Sequence, residues 1–127
     1  MKLLLDTQVL FWWYSEPLRI SKRAFSLMED SENEILVSAA VAWELAIKSA
    51  IGKLDALSLT LDLSRMLAED GFSELPIGIT QATRAGLLPL HHRDPFDRLI
   101  VAQAQDLNIP VLSSDRLLDL YDVNRLW

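Results

Sequence analysis

Apolar residues follow one another along this chain in two rhythms: short unbroken runs, and longer stretches spaced for one face of a helix. Leu3-Leu4-Leu5, Ile35-Leu36-Val37 and Val111-Leu112 are too short for helices and apolar throughout, as strands covered on both faces are. Between them, helical spacing recurs. The run Val9 to Tyr14 reads as a helix that closes before Pro17. Ser21 is placed to cap a helix to about Asp30, and Ser38 to cap Ala39–Ile51, which stops at Gly52, a residue free to take positive φ. A helix is expected over Leu59–Asp70, then a short strand over Phe72–Ile77 that Pro76 interrupts. Thr80 is expected to cap a helix ending near Leu88-Pro89. Asp94-Pro95 opens the most legible element, with Phe96, Leu99, Ile100, Ala104 and Leu107 at helical spacing before Asn108 and Pro110 end it. A strand over Val111–Ser114, Asp115, a short helix and an edge strand around Val123 and Leu126 complete the chain.

Buried strands alternating with helices predict a three-layer α/β/α sandwich around a mostly parallel sheet of about five strands. With 127 residues and no linker or repeat, residues 1–127 are expected to form one domain. In such sheets ligands bind beyond the carboxyl ends of the strands, where strand order reverses. Asp6 and Asp115 both follow apolar strands there.

Composition narrows the chemistry. Half the residues are hydrophobic and 24% are charged, which excludes disorder. The absence of cysteine excludes disulfides, thiol nucleophiles and iron–sulfur clusters, so any metal must be held by oxygen or imidazole. Asp6 interrupts the N-terminal apolar run before it can form a secretory signal, and no stretch reaches the roughly 20 apolar residues of a membrane span. A cytoplasmic protein is expected. The net charge of −6 argues against unspecific attraction to phosphate by a whole-protein positive field.

Four acidic residues stand out by context: Asp6, Glu44, Asp97 and Asp115. Asp6 and Asp115 could simply cap helices, and Asp97 could complement a helix dipole. Glu44 is harder to explain that way. On a helix, Trp43, Ala46, Ile47, Ala50 and Ile51 form one apolar stripe, and Val41 and Leu45 form another. Only a narrow slot is left for Glu44 and Lys48, so the helix is expected to be largely buried and Glu44 to need a partner. If the four carboxylates converge, charges ~4 Å apart repel by ~4 kcal/mol at an effective dielectric of ~20, so a cluster calls for cations. Oxygen-only ligation suits Mg²⁺ or Mn²⁺, which commonly bridge carboxylates to a substrate phosphate.

The segments Leu3–Thr7, Trp12-Trp13, Val37–Ala39 with Trp43-Glu44 and Lys48, Gly52–Leu54, His91–Ile100 (HHRDPFDRLI), Ser114-Asp115 and Leu126-Trp127 together resemble the PIN-domain ribonucleases, specifically VapC-type toxins of bacterial toxin–antitoxin pairs. The similarity runs nearly end to end. It implies a metal site of Asp6, Glu44, Asp97 and Asp115, supported by Thr7, by Ser113 where threonine is usual, and by Lys48. Gln8 stands where histidine is common. The resemblance further implies an Mg²⁺- or Mn²⁺-dependent endoribonuclease toxin acting on RNA, with tRNA or another structured RNA as the expected target. A cognate VapB-type antitoxin and a homodimer are the implied protein partners.

Arg98 and Arg116, each next to one of the four acids, are candidate RNA contacts. His91 and His92 are adjacent and lack a third ligand at defined spacing, which makes a poor metal signal. Asp94 reads as a cap. Of Phe11, Trp12, Trp13 and Tyr14, at least two are expected in the core. A dehalogenase-type phosphatase would need a second Asp at position 8, and a receiver domain would need a Lys after its last strands, where none follows Lys53. The alternative left standing is a non-catalytic PIN-fold scaffold that binds RNA or protein.

Overall fold

The computed structural model describes residues 1–127. The first strand, β1 (Lys2–Leu5), occupies the centre of a five-stranded sheet, and its three leucines are fully buried. Two helices, α1 (Thr7–Ser15) and α2 (Lys22–Glu29), lead to β2 (Glu34–Ser38). Ser38 caps α3 (Ala39–Ala50) by accepting the Ala40 N–H at 3.0 Å. Then come α4 (Leu57–Leu61), α5 (Leu63–Glu69), β3 (Ser73–Leu75), α6 (Ile79–Leu87), α7 (Pro95–Leu107), β4 (Val111–Leu112), a 3₁₀ turn over Arg116–Leu120 and β5 (Arg125–Leu126).

Every strand pair is parallel, and the order is β3-β2-β1-β4-β5. The chain moves outward from β1 to β3, then returns to the other side of β1. Right-handed crossovers in opposite directions put helices on both faces, giving three layers. Strand order reverses between β1 and β4, so the crevice there lies beyond Leu5 and Leu112. A single apolar cluster runs from β1, β2 and β4 through Val41 and Leu45 of α3 to Ile100, Val101 and Ala104 of α7. No helix is long and apolar enough to cross a membrane.

Several boundaries differ from the sequence expectation. The helix expected over Leu59–Asp70 is two helices with a break at Asp62, whose carboxylate pairs with Arg65 at 3.2 Å. Gly78, not Thr80, caps α6: the Gln81 side chain folds back so that its Oε1 accepts the Gly78 N–H at 3.3 Å. Asn108 ends α7 at φ 53°, in the left-handed region that Asn tolerates. The face of α3 holding Trp43 and Ile51 is at the surface, with both more than half exposed. Only the Val41/Leu45 side is core, and Trp43 packs edge-on against Phe96, ring centres 5.2 Å apart. In the aromatic run Trp12 is buried, while Phe11, Trp13 and Tyr14 pack half-buried against the same core.

Candidate active site

The residues singled out in the sequence meet at the switch point. Asp6 follows β1 and caps α1, its Oδ1 accepting the Val9 N–H at 2.9 Å. Its other oxygen accepts a hydrogen bond from the Ser113 hydroxyl, just past β4. Glu44, in the middle of α3, is 4% exposed. Thr7 Oγ1 donates to one of its oxygens and Lys48 Nζ to the other, both at 2.5 Å. Glu44 and Lys48 therefore form an i,i+4 ion pair, whose carboxylate lies inside the protein rather than on a solvated face.

Asp97 sits in the first turn of α7, below the cap made by Asp94, whose Oδ1 accepts the N–H groups of Phe96 and Asp97 at 2.8 and 3.3 Å. Asp115 caps the 3₁₀ turn through Leu117 N–H at 3.0 Å. Its own N–H donates to Ser113 Oγ at 3.0 Å, so Ser113 touches two of the acids. These side chains border a cavity of about 700 Å³ that also carries Lys48, Lys53, Gln8, Phe11 and Trp12. Gly52, at φ +73°, makes the turn after α3, and the N–H groups of Lys53 and Leu54 donate back to the Lys48 carbonyl at 2.9 and 3.2 Å. That reversal brings both residues to the cavity rim.

The electrostatics follow from this crowding. Burial pushes the Asp6 carboxyl up to about 6; the Ser113 and Val9 hydrogen bonds oppose this, and the charges of Asp115 and Glu44 add to it. Asp97 is pushed up to about 7, by burial first and then by Asp94, Asp6 and Glu44, with His92 opposing. A group of carboxylates that holds protons near neutrality is a group short of positive charge.

One sequence expectation needs correction, and one residue set aside in the sequence comes into the site. Arg98 is not available to RNA: it is 7% exposed, and its guanidinium donates to the carbonyls of Ala85, Leu88 and Pro89 at 2.8–3.0 Å and of Gly86 and His92 at 3.3 Å. A buried cation at the C-terminal end of α6 satisfies carbonyls that the helix leaves free. Arg116, by contrast, is exposed, and its side chain has no hydrogen-bond partner within the protein. His92, set aside as a poor metal signal, lies inside the acidic group, its Nε2 at 2.9 Å from Asp115 and 3.0 Å from Asp97. Ligand spacing in the sequence carries no sign of this, because contact depends on how the loop before α7 folds. His91 stays outside, exposed and edge-on to Tyr121.

A parallel α/β sheet with four acids gathered at its switch point is an arrangement whose carboxylate oxygens suit a hard divalent cation. Residues 3–124 match the PIN domain family model, and the chain belongs to that family. It is 33% identical over 119 residues to the protein named Ribonuclease VapC22 from Mycobacterium tuberculosis, covering 91% of this chain and 88% of that one. Among solved structures, it resembles VapBC2 from Rickettsia felis bound to a promoter DNA fragment, with a TM-score of 0.73 at 15% identity over 100% of this chain and 99% of that one. VapBC-1 from nontypeable Haemophilus influenzae is similar, with a TM-score of 0.69 at 16% identity over 99% and 97% of the two chains.

Proposed function

We propose that this chain is a divalent-metal-dependent endoribonuclease, a VapC-type toxin that hydrolyses RNA phosphodiester bonds and is neutralised by a cognate VapB-type antitoxin. The observation that carries this reading is the convergence of Asp6, Glu44, Asp97 and Asp115 on one cavity at the switch point, two of them with strongly raised pKa. Similarity to a protein named as a ribonuclease supports the same chemistry, and the VapBC complexes among the structural relatives support an antitoxin partner. Cytoplasmic location and a homodimer, with residues 1–127 as one catalytic unit, belong to the same reading.

The donor set fits a hard divalent ion. All four donors are carboxylates, no thiolate competes, and the raised pKa values mark a deficit of positive charge that Mg²⁺ or Mn²⁺ would fill. When bound, such an ion acidifies a water and stabilises the oxygen that leaves the phosphorus. The protein's own residues do the rest. Thr7 and Lys48 fix Glu44, Ser113 fixes Asp6, and each carboxylate is thereby held in one orientation. Lys48 and Lys53 supply cationic groups at the cavity for phosphate oxygens, and exposed Arg116 lies one residue beyond Asp115 to meet the RNA strand.

Thermal melts against increasing Mn²⁺ and Mg²⁺ test this reading, with Asp6→Asn and Asp97→Asn beside the parent and RNA cleavage assayed on the same samples. Binding at a hundredfold excess over Kd adds ~2.7 kcal/mol, enough for a rise of several degrees. A saturable rise and metal-dependent cleavage in the parent, both lost in the variants, are expected. Equal rises in all three proteins, or cleavage that survives Asp97→Asn, would overturn the proposal.

A further inference from the structure

His92 has a hydrogen-bond pattern that fixes where its proton sits. The backbone N–H of Asp94 donates to its Nδ1 at 3.2 Å. A backbone amide can only donate, so Nδ1 presents a lone pair and the neutral ring carries its hydrogen on Nε2. That nitrogen lies 2.9 Å from Asp115 Oδ2, to which it is hydrogen-bonded, and 3.0 Å from Asp97 Oδ2, and the three atoms are within 4.8 Å of one another. The two carboxylates come from different parts of the chain, Asp97 from α7 and Asp115 from the turn after β4.

The ring is also held from behind. The His92 N–H donates to Tyr121 Oη at 2.9 Å, that hydroxyl donates to the Pro89 carbonyl at 2.7 Å, and the His92 carbonyl accepts from Arg98 at 3.3 Å. A side chain fixed at its backbone and at Nδ1 is built to present Nε2–H at one place. The other acids draw on different donors: Ser113 and Val9 for Asp6, Thr7 and Lys48 for Glu44, while Asp115 Oδ1 takes the Leu117 N–H.

We propose that His92 is a positioning residue of the acidic centre, whose Nε2–H, hydrogen-bonded to Asp115 and set 3.0 Å from Asp97, keeps the two carboxylates at a separation that one divalent ion can span, and that it is not itself a ligand. The inference rests on the metal-dependent reading above and extends it. A donor set between them offsets part of the repulsion between the two carboxylates without neutralising either, and it leaves Asp97 Oδ1 with no protein donor, open toward a cation. Coordination through Nε2 would require the hydrogen to move to Nδ1. There it would face the Asp94 N–H, two donors against each other.

The test uses Mn²⁺ alone as probe and the full chain, with His92→Leu, His92→Gln and Asp97→Asn beside the parent. The midpoint of the Mn²⁺-dependent rise in melting temperature is expected to move at least tenfold higher in His92→Leu. It should return most of the way in His92→Gln, whose amide keeps a donor. A purely structural His92 would lower the melting temperature equally at every Mn²⁺ concentration and leave the midpoint in place, which overturns the proposal. A parent midpoint lost in Asp97→Asn but unmoved in His92→Leu overturns this inference alone; a parent with no midpoint overturns the metal reading with it. Nitrogen-15 NMR of the metal-free parent needs no variant. It is expected to show His92 protonated on Nε2, and a ring protonated only on Nδ1 would overturn the assignment even if His92→Leu fails to fold.

Discussion

Ser113 and Asp6, 107 positions apart in the sequence, are joined by a hydrogen bond from the serine hydroxyl to the aspartate, which ties the carboxyl ends of β4 and β1 together at the switch point. Both residues are almost fully buried. The same hydroxyl accepts the Asp115 N–H, so one small side chain sets the relation between two of the acids.

Removing that hydroxyl has a definite cost. Ser113→Ala leaves an Asp6 oxygen and the Asp115 N–H without their partner, and destabilisation of about 1–3 kcal/mol is expected. The Asp6 pKa should climb further, because the Ser113 hydrogen bond holds it down. Ser113→Thr keeps the hydroxyl and should lie near the parent. Urea unfolding of the three proteins, together with carboxyl titration by NMR, checks the ordering; an alanine variant as stable as the parent contradicts it.

The raised carboxyl groups set a pH dependence whose sign is unusual for acidic residues. Asp6 titrates at about 6 and Asp97 at about 7, against an ordinary 3.8, so the folded state binds these protons more tightly than the unfolded chain. The destabilisation is complete only well above pH 7 and is relieved as pH falls through each folded value toward 3.8. For Asp6 the rise from 3.8 to about 6 corresponds to about 3 kcal/mol as an upper figure. In chelator the melting temperature should rise as pH falls from 8 toward 5, a window in which exposed carboxylates stay ionised in both states. With saturating Mn²⁺ the trend should flatten or reverse, since the ion binds the deprotonated acids. A chelator melting curve that falls steadily over this range contradicts the assignment.

Much of this was legible in the sequence because it rests on local rules. Three leucines before Asp6 make a buried strand ending in a cap, and Asp94-Pro95 starts a helix that must carry Asp97 in its first turn. The slot holding Glu44 and Lys48 was visible in the helical period, although the Trp43 side of that helix proved to be surface. What could not be read depends on tertiary contact. Arg98 and Arg116 look alike in sequence, each one residue past an acid, yet one is sealed under the end of α6 and the other is exposed. His92 reaches two acids only because the loop before α7 is pinned by Tyr121 and Arg98, and no spacing rule encodes that.

Gly52 separates a backbone effect from a chemical one. At φ +73° an alanine is strained by about 1 kcal/mol even though nothing lies within 4 Å of its Cβ position. Gly52→Ala should lower stability by that amount and shift the turn that brings Lys53 to the cavity rim. KM for RNA is then expected to rise severalfold with kcat little changed and the Mn²⁺ midpoint unmoved. A fall in kcat without a change in KM would show that the turn acts on the acids instead.

Arg98 carries the largest predicted loss. Its buried guanidinium serves carbonyls at the end of α6 and along the segment leading to His92. Arg98→Met would strip these oxygens of their donor while keeping the volume, and about 3 kcal/mol or more should be lost. The loss should not stay local. The same guanidinium holds the carbonyl of His92, so releasing that segment should also raise the Mn²⁺ midpoint in whatever fraction remains folded. Arg98→Lys keeps the charge but not the fork that reaches several oxygens at once, and should fall between the two. Arg116→Ala, in contrast, should leave the melting temperature and the Mn²⁺ midpoint unchanged and weaken RNA binding in a salt-dependent way. Melting and metal titration of these variants distinguish a clasp from a contact: if Arg98→Met stays as stable as the parent and loses only RNA affinity, the arginine belongs to the RNA surface after all.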